Sequence, residues 1–171
     1  VIVCMFGWVG AEEVFKWRGL VLGCPVDRVV EKLTDKEQET LSVNGGDWYF
    51  NNGSVITKLG LADGKLVSWS MVYVNFGDDL GANLRTLYQA MSEAFGKAPN
   101  HEQAMKVLTS PKCKGKWAVD NVGISLVSWR DAFGMSCRLG VVGLKEGVFA
   151  VLQFGFFADD APLEDSEEGK L

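Results

Sequence analysis

A chain with a single histidine, His101, has few ways to carry out nucleophilic or acid–base chemistry. A Cys-His or Ser-His-Asp catalyst would have to route its proton through that imidazole, with Cys24 or Cys113 beside it and a carboxylate or amide as the third member. His101 follows Pro99-Asn100 at an expected helix start, so an exposed cap region is the plainer reading. The acidic pairs Asp78-Asp79 and Asp159-Asp160 lack the alternating oxygen ligands and turn glycine of a calcium loop. Asp78-Asp79 stands directly before Leu80 and suits the start of a helix, by capping and by complementing the dipole. There is no Cys-x-x-Cys, no glycine-rich phosphate loop and no carboxylate pair that stands out for glycoside hydrolysis. The expectation is therefore no metal and no cofactor, and a chain without catalysis of its own. A small hydrolase or thiol enzyme built on His101 with Cys24 or Cys113 is the alternative.

Binding has better raw material. Aromatic residues make up 11% of the chain, and Trp48, Tyr49, Trp69, Tyr73, Trp117 and Trp129 all fall on expected strands. Facing solvent, they would form an interaction platform; facing inward, they would fill the core. The net charge of -5 argues against a nucleic-acid partner, because neutralising phosphates needs a clustered excess of Lys and Arg. The one dense basic stretch, Lys112-Cys113-Lys114-Gly115-Lys116, reads as a solvated turn. Residues 159–171 concentrate acidic side chains without apolar periodicity and read as a flexible tail.

The opening VIVCMFGWVGAEE bears on compartment. Residues 1–11 are uncharged, about as long as the hydrophobic region of a secretory signal and far short of the roughly 20 residues that span a bilayer, so no transmembrane helix is expected. Val9-Gly10-Ala11 before Glu12-Glu13 offers a cleavage site after Ala11. On that reading residues 1–11 are a signal remnant and the protein is periplasmic or secreted. A buried first strand in a cytoplasmic protein with reduced cysteines is the alternative. Export would remove Cys4 and leave Cys24, Cys113 and Cys137, which permit one disulfide; Cys113 with Cys137 is the preferred pair, each on or beside neighbouring candidate strands.

The elements that would position these residues follow from periodicity. VFKWRGLVLG suggests a strand entering the core, and Cys24-Pro25-Val26-Asp27 introduces a helix that fades in the polar TDKEQET segment. Asp63-Gly64 predicts a tight hairpin between strands near 54–61 and 65–76. In the second strand Leu66, Ser68 and Ser70 share one face, and Val67, Trp69, Met71, Tyr73 and Asn75 the other. Leu80, Leu84, Leu87, Tyr88, Met91, Ala94 and Phe95 form an apolar stripe closed by Gly96, which predicts a helix over 80–95. A shorter helix over 102–108 follows a possible Asn100 cap, and strands are expected at 117–129, 135–143 and 148–157. The order helix then strands occurs twice, over 15–77 and 78–157, within one α+β domain over 12–158: an antiparallel sheet packed on one face by helices.

The segment FKWRGLVLGCPVDRVVEKL, the hairpin ADGKLVSWSMVY and the helix end AFGKAP resemble small bacterial envelope proteins, namely the SmpA/OmlA outer-membrane assembly lipoproteins and the β-lactamase-inhibitor-protein-like group. The resemblance covers residues 15–157 and implies a binding or scaffold module with a small sheet covered by helices, using a sheet face to hold a protein or a ligand. The chain departs from that pattern in lacking a lipid-attachment motif and in having longer, more numerous strands, and no functional residue carries over.

Overall fold

The computed structural model describes residues 14–74, 79–110, 113, 115–157 and 163. The opening stretch 1–11 with Cys4, the residues Asn75 and Asp78, and the acidic run after 158 apart from Leu163 lie outside the described residues. Seven strands form one antiparallel sheet in the order β1-β2-β3-β4-β7-β6-β5. They are β1 (Ser42–Asn44), β2 (Asp47–Asn51), β3 (Val55–Ala62), β4 (Lys65–Tyr73), β5 (Ser125–Arg130), β6 (Ser136–Leu144) and β7 (Gly147–Gly155). The helices are α1 (Val26–Val30), α2 (Asp35–Thr40), α3 (Leu80–Phe95), α4 (His101–Leu108) and α5 (Lys116–Asp120). The architecture is α+β, as the alternation of helical and two-residue periods requires.

Two hairpins organise the sheet. Asp63 takes φ 50° and Gly64 φ 68°, the primed turn whose twist matches its flanking strands, and β3 pairs with β4 through it. The second hairpin joins β6 to β7 around Lys145-Glu146. The two hairpins meet at β4 and β7, with Ser68 opposite Gly155, Met71 opposite Leu152 and Tyr73 opposite Ala150. Counted outward from the two turns with Val67 skipped, Trp69 corresponds to Ala150, Tyr73 to Phe154 and Ile56 to Arg138. The seam pairs Trp69 with Phe154 and Tyr73 with Ala150, so its register obeys a local two-fold axis passing between Met71 and Leu152.

One face of the sheet carries the main core. Val29 of α1, Leu84, Leu87, Tyr88 and Met91 of α3, and Ala104 and Leu108 of α4 pack there against Leu59, Leu66, Trp69, Met71, Leu139, Leu152 and Phe154. α3 starts where the sequence places it, with the Asp79 carboxylate accepting the Ala82 amide. The other face holds a smaller apolar cluster of Val72, Val142, Val151 and Leu163. Leu163 is 2% exposed inside the run expected to be a solvated tail. Its amide donates to the Gly123 carbonyl, and its side chain lies over Gly140.

Several expectations are corrected. VFKWRGLVLG is a tight turn with Trp17 and Leu20 bridged, not a strand. TDKEQET does not fade: it forms α2, because Thr34 and Glu37 make a reciprocal capping box. Residues 117–129 are not one strand: 117–120 belong to α5, Val122 makes an isolated parallel bridge to Val141, and the strand itself is 125–130. A bulge between Gly60 and Leu61 leaves Val67 unpaired, which returns Leu66 to the core face with Trp69 and turns Val67 to solvent, opposite to the alternation read from sequence.

Candidate functional site

The sheet face turned away from α1, α3 and α4 contains a groove of about 370 Å³. Alternation builds it. In β2, Trp48 and Phe50 point into the core, so Tyr49 and Asn51 point outward. The same rule turns Ile56 of β3, Val74 just beyond β4, Leu144 of β6 and Phe149 of β7 to the groove. Thr40 and Ser42 close one side; the Thr40 hydroxyl donates to the Asn51 carbonyl and accepts the Asn51 amide, which ties the end of α2 to β2. Ile56, Val74, Leu144 and Phe149 also pack on the cluster capped by Leu163, so the groove continues an apolar surface. Among the described lining residues Glu146 alone is charged, and none is His, Cys, Lys or Arg. Lys58 sits over the Tyr49 ring at 5.8 Å and is engaged by Asp47 at 3.1 Å.

The six aromatic candidates separate. Tyr49 lines the groove. Trp69 stacks on Phe154 with ring centroids 4.7 Å apart, Tyr73 lies in the same core, and Trp129 donates its indole N–H to the Gly96 carbonyl at 3.0 Å beneath the end of α3. Trp48 and Trp117 are half-buried and pack against that core. The six therefore do not form one platform. Burial pushes the Tyr73 hydroxyl well above its ordinary range, with Cys137 adding to the effect. The groove's other apolar residues were missed because single Ile, Val, Leu and Phe residues on strands carry no functional signature; only their shared parity across the two hairpins could have pointed to them.

The catalytic alternative finds its residues apart. His101 shares a hydrogen bond between Nδ1 and the Tyr88 hydroxyl and stacks on that ring at 5.7 Å between centroids. Cys113 lies beyond the opposite end of α4, next to Arg85 and Gly81 of α3, so the length of α4, about 12 Å at 1.5 Å per residue, separates the two. Cys24 sits at the entrance to α1, its carbonyl accepting the Leu66 amide. The expected disulfide is also absent: Cys24, Cys113 and Cys137 are free thiols. Cys137 points from β6 into the core opposite Trp129 and Phe154, whereas Cys113 belongs to the α4–α5 connection. Burial raises the pKa of all three thiols, most strongly for Cys137; for Cys113 the Arg85 charge opposes the rise.

Among the described residues no group of three or more His, Cys, Asp or Glu is placed to hold a metal ion, and no helix is long and apolar enough to cross a membrane. In comparisons with known proteins, the chain matches no family model, no curated protein and no solved structure.

Proposed function

We propose that this protein is a non-catalytic binding or scaffold protein of the bacterial envelope, exported to the periplasm or secreted, that holds its partner on the sheet face opposite the main helices. The observation that carries the reading is the groove bounded by Tyr49, Ile56, Val74, Leu144 and Phe149. A largely apolar cleft of this size with a few polar groups at its margin is what small-ligand sites look like, and its described lining offers no nucleophile paired with a base. The export part rests on the sequence of residues 1–13 alone.

The groove is tested by titrating 2-naphthylmethanol against protein with labelled Ile, Leu and Val methyl groups. The expected result is saturable shifts confined to Ile56, Val74 and Leu144 and their neighbours, with a Kd on the order of millimolar for so small a ligand. Loss of those shifts in Leu144→Trp, with the spectrum otherwise intact, places the probe. Absence of any saturable shift at the probe's solubility limit overturns the reading. Export is tested by N-terminal sequencing of the exported fraction, where a mature chain begins at Glu12.

A further inference from the structure

The groove is one end of a longer apolar row on the outer face of the sheet. Ile56 stands opposite Val72 in the β3–β4 register, Val72 opposite Val151 across the central seam, and Val151 opposite Gly140. All four positions face away from the main helices, and crossing them spans about 14 Å at roughly 4.8 Å per strand. Ile56 lines the groove, and the Gly140 end is filled by the chain's own Leu163, 2% exposed. That end is a built seat. A Cβ on Gly140 would come within 2.3 Å of Leu163 Cδ1, the Leu163 amide donates to the Gly123 carbonyl at 2.8 Å, and the side chain packs with Val72, Val142 and Val151. The seat holds a leucine by its side chain and by its backbone N–H, the two handles by which sheets recognise peptides.

Leu163 is the one large apolar side chain in the run ADDAPLEDSEEGK, and it does not line the groove. We infer that the partner held on this face is an extended peptide with a leucine and a second large apolar residue four positions from it. The leucine displaces Leu163 from the Gly140 seat, and the second side chain enters the groove beside Ile56. Leu163 is then the contact that keeps the site closed. This deepens the proposed function and rests on it. Residues four apart in an extended chain share a face and lie about 13 Å apart, which matches the row. Because Leu163 is tethered, with an effective concentration on the order of millimolar, a leucine alone competes poorly, and the groove contact supplies the difference.

The probe is the nonapeptide WSTSLSTSW, which carries the second apolar residue on either side of its leucine, titrated against the intact chain and read by the same methyl shifts. It should shift Ile56, Val74 and Leu144 together with Val72, Val142, Val151 and Leu163 itself. Leu163→Ala, which empties the seat, should bind it about tenfold more tightly or better, and the peptide with alanine in place of leucine should show no such gain. Equal affinity for wild type and Leu163→Ala, an equal gain for the alanine peptide, or shifts confined to the groove or to the seat overturn the inference. So does the absence of any saturable shift with the nonapeptide. In each of those cases saturable binding of 2-naphthylmethanol leaves the groove as a binding site, and its failure overturns the groove reading as well. A second readout needs no variant. In wild type saturated with the nonapeptide, hydrogen exchange of the Leu163 amide should accelerate by about tenfold or more, because its bond to Gly123 is given up, while that of the core Leu152 amide stays as it was. An unchanged Leu163 amide overturns the inference even where Leu163→Ala fails to fold.

Discussion

Arg18 and Glu37 meet in a bidentate pair, Nη1 to Oε2 at 2.7 Å and Nη2 to Oε1 at 2.5 Å, with the Glu37 side chain 3% exposed. Burial alone would raise the Glu37 pKa. The Arg18 donors, the Thr34 amide and hydroxyl and the Arg18 charge outweigh it, so the carboxyl titrates below its ordinary value. A folded-state pKa below the unfolded one gives stability that is fully present above the unfolded value of 4.5 and is lost as pH falls through the folded value. Glu37→Ala should therefore cost about 2–4 kcal/mol at pH 7, since it strands Arg18 and dissolves the capping box. In urea melts, the gap from wild type should narrow only below pH 4.5. A gap constant down to pH 3 would show that packing alone sets the cost. The thiols make a second prediction at this scale. Iodoacetamide at pH 7.5 should label half-buried Cys24 slowly and leave Cys113 and Cys137 unmodified until the protein unfolds, because burial disfavours all three thiolates. Their alkylation after unfolding should need no prior reduction.

At the scale of elements, glycines set how closely chain segments approach. A Cβ on Gly140 would come within 2.3 Å of Leu163 Cδ1 and 2.4 Å of the Ile124 carbonyl oxygen. Gly140→Ala should cost about 2–4 kcal/mol by overpacking, and Leu163→Ala should not rescue it, because the backbone of Ile124 cannot step aside. Rescue by the double variant would place the whole clash on Leu163. Leu163→Ala alone should lower stability by about 2 kcal/mol or more, as a buried leucine is truncated over Val72, Val142 and Val151. These elements differed in how well they could be read from sequence. α3 and the Asp63-Gly64 hairpin were legible because an uninterrupted apolar stripe and a turn dipeptide are local signals. The bulge at Val67 was not, since it depends on which residues of β3 stand opposite. α5 was misread because Trp117 and Val119 mimic strand alternation over a stretch of five residues. Of the groove, Tyr49 alone was anticipated; Phe149 and Ile56 line one groove only because β4 and β7 pair across the centre of the sheet.

For the whole molecule, the pairing of β4 with β7 is the junction on which everything else depends. It joins a meander ending at Val74 to one that follows α3, and the groove takes residues from both sides of it. Chains expressed separately as residues 12–74 and 79–171 should therefore associate when mixed, with restored methyl shifts at Ile56 and Leu144 as the readout; two pieces that stay apart at high micromolar concentration would show that the junction needs the connecting chain. The register of β4 and β7 relates the two hairpins by a local two-fold axis, the arrangement by which two subunits meet across an isologous interface. The segment connecting the hairpins supplies an effective local concentration on the order of millimolar, which a cut would remove. Stability that does not depend on protein concentration in the intact chain should then become concentration-dependent in the divided one, and dilution alone would open the groove.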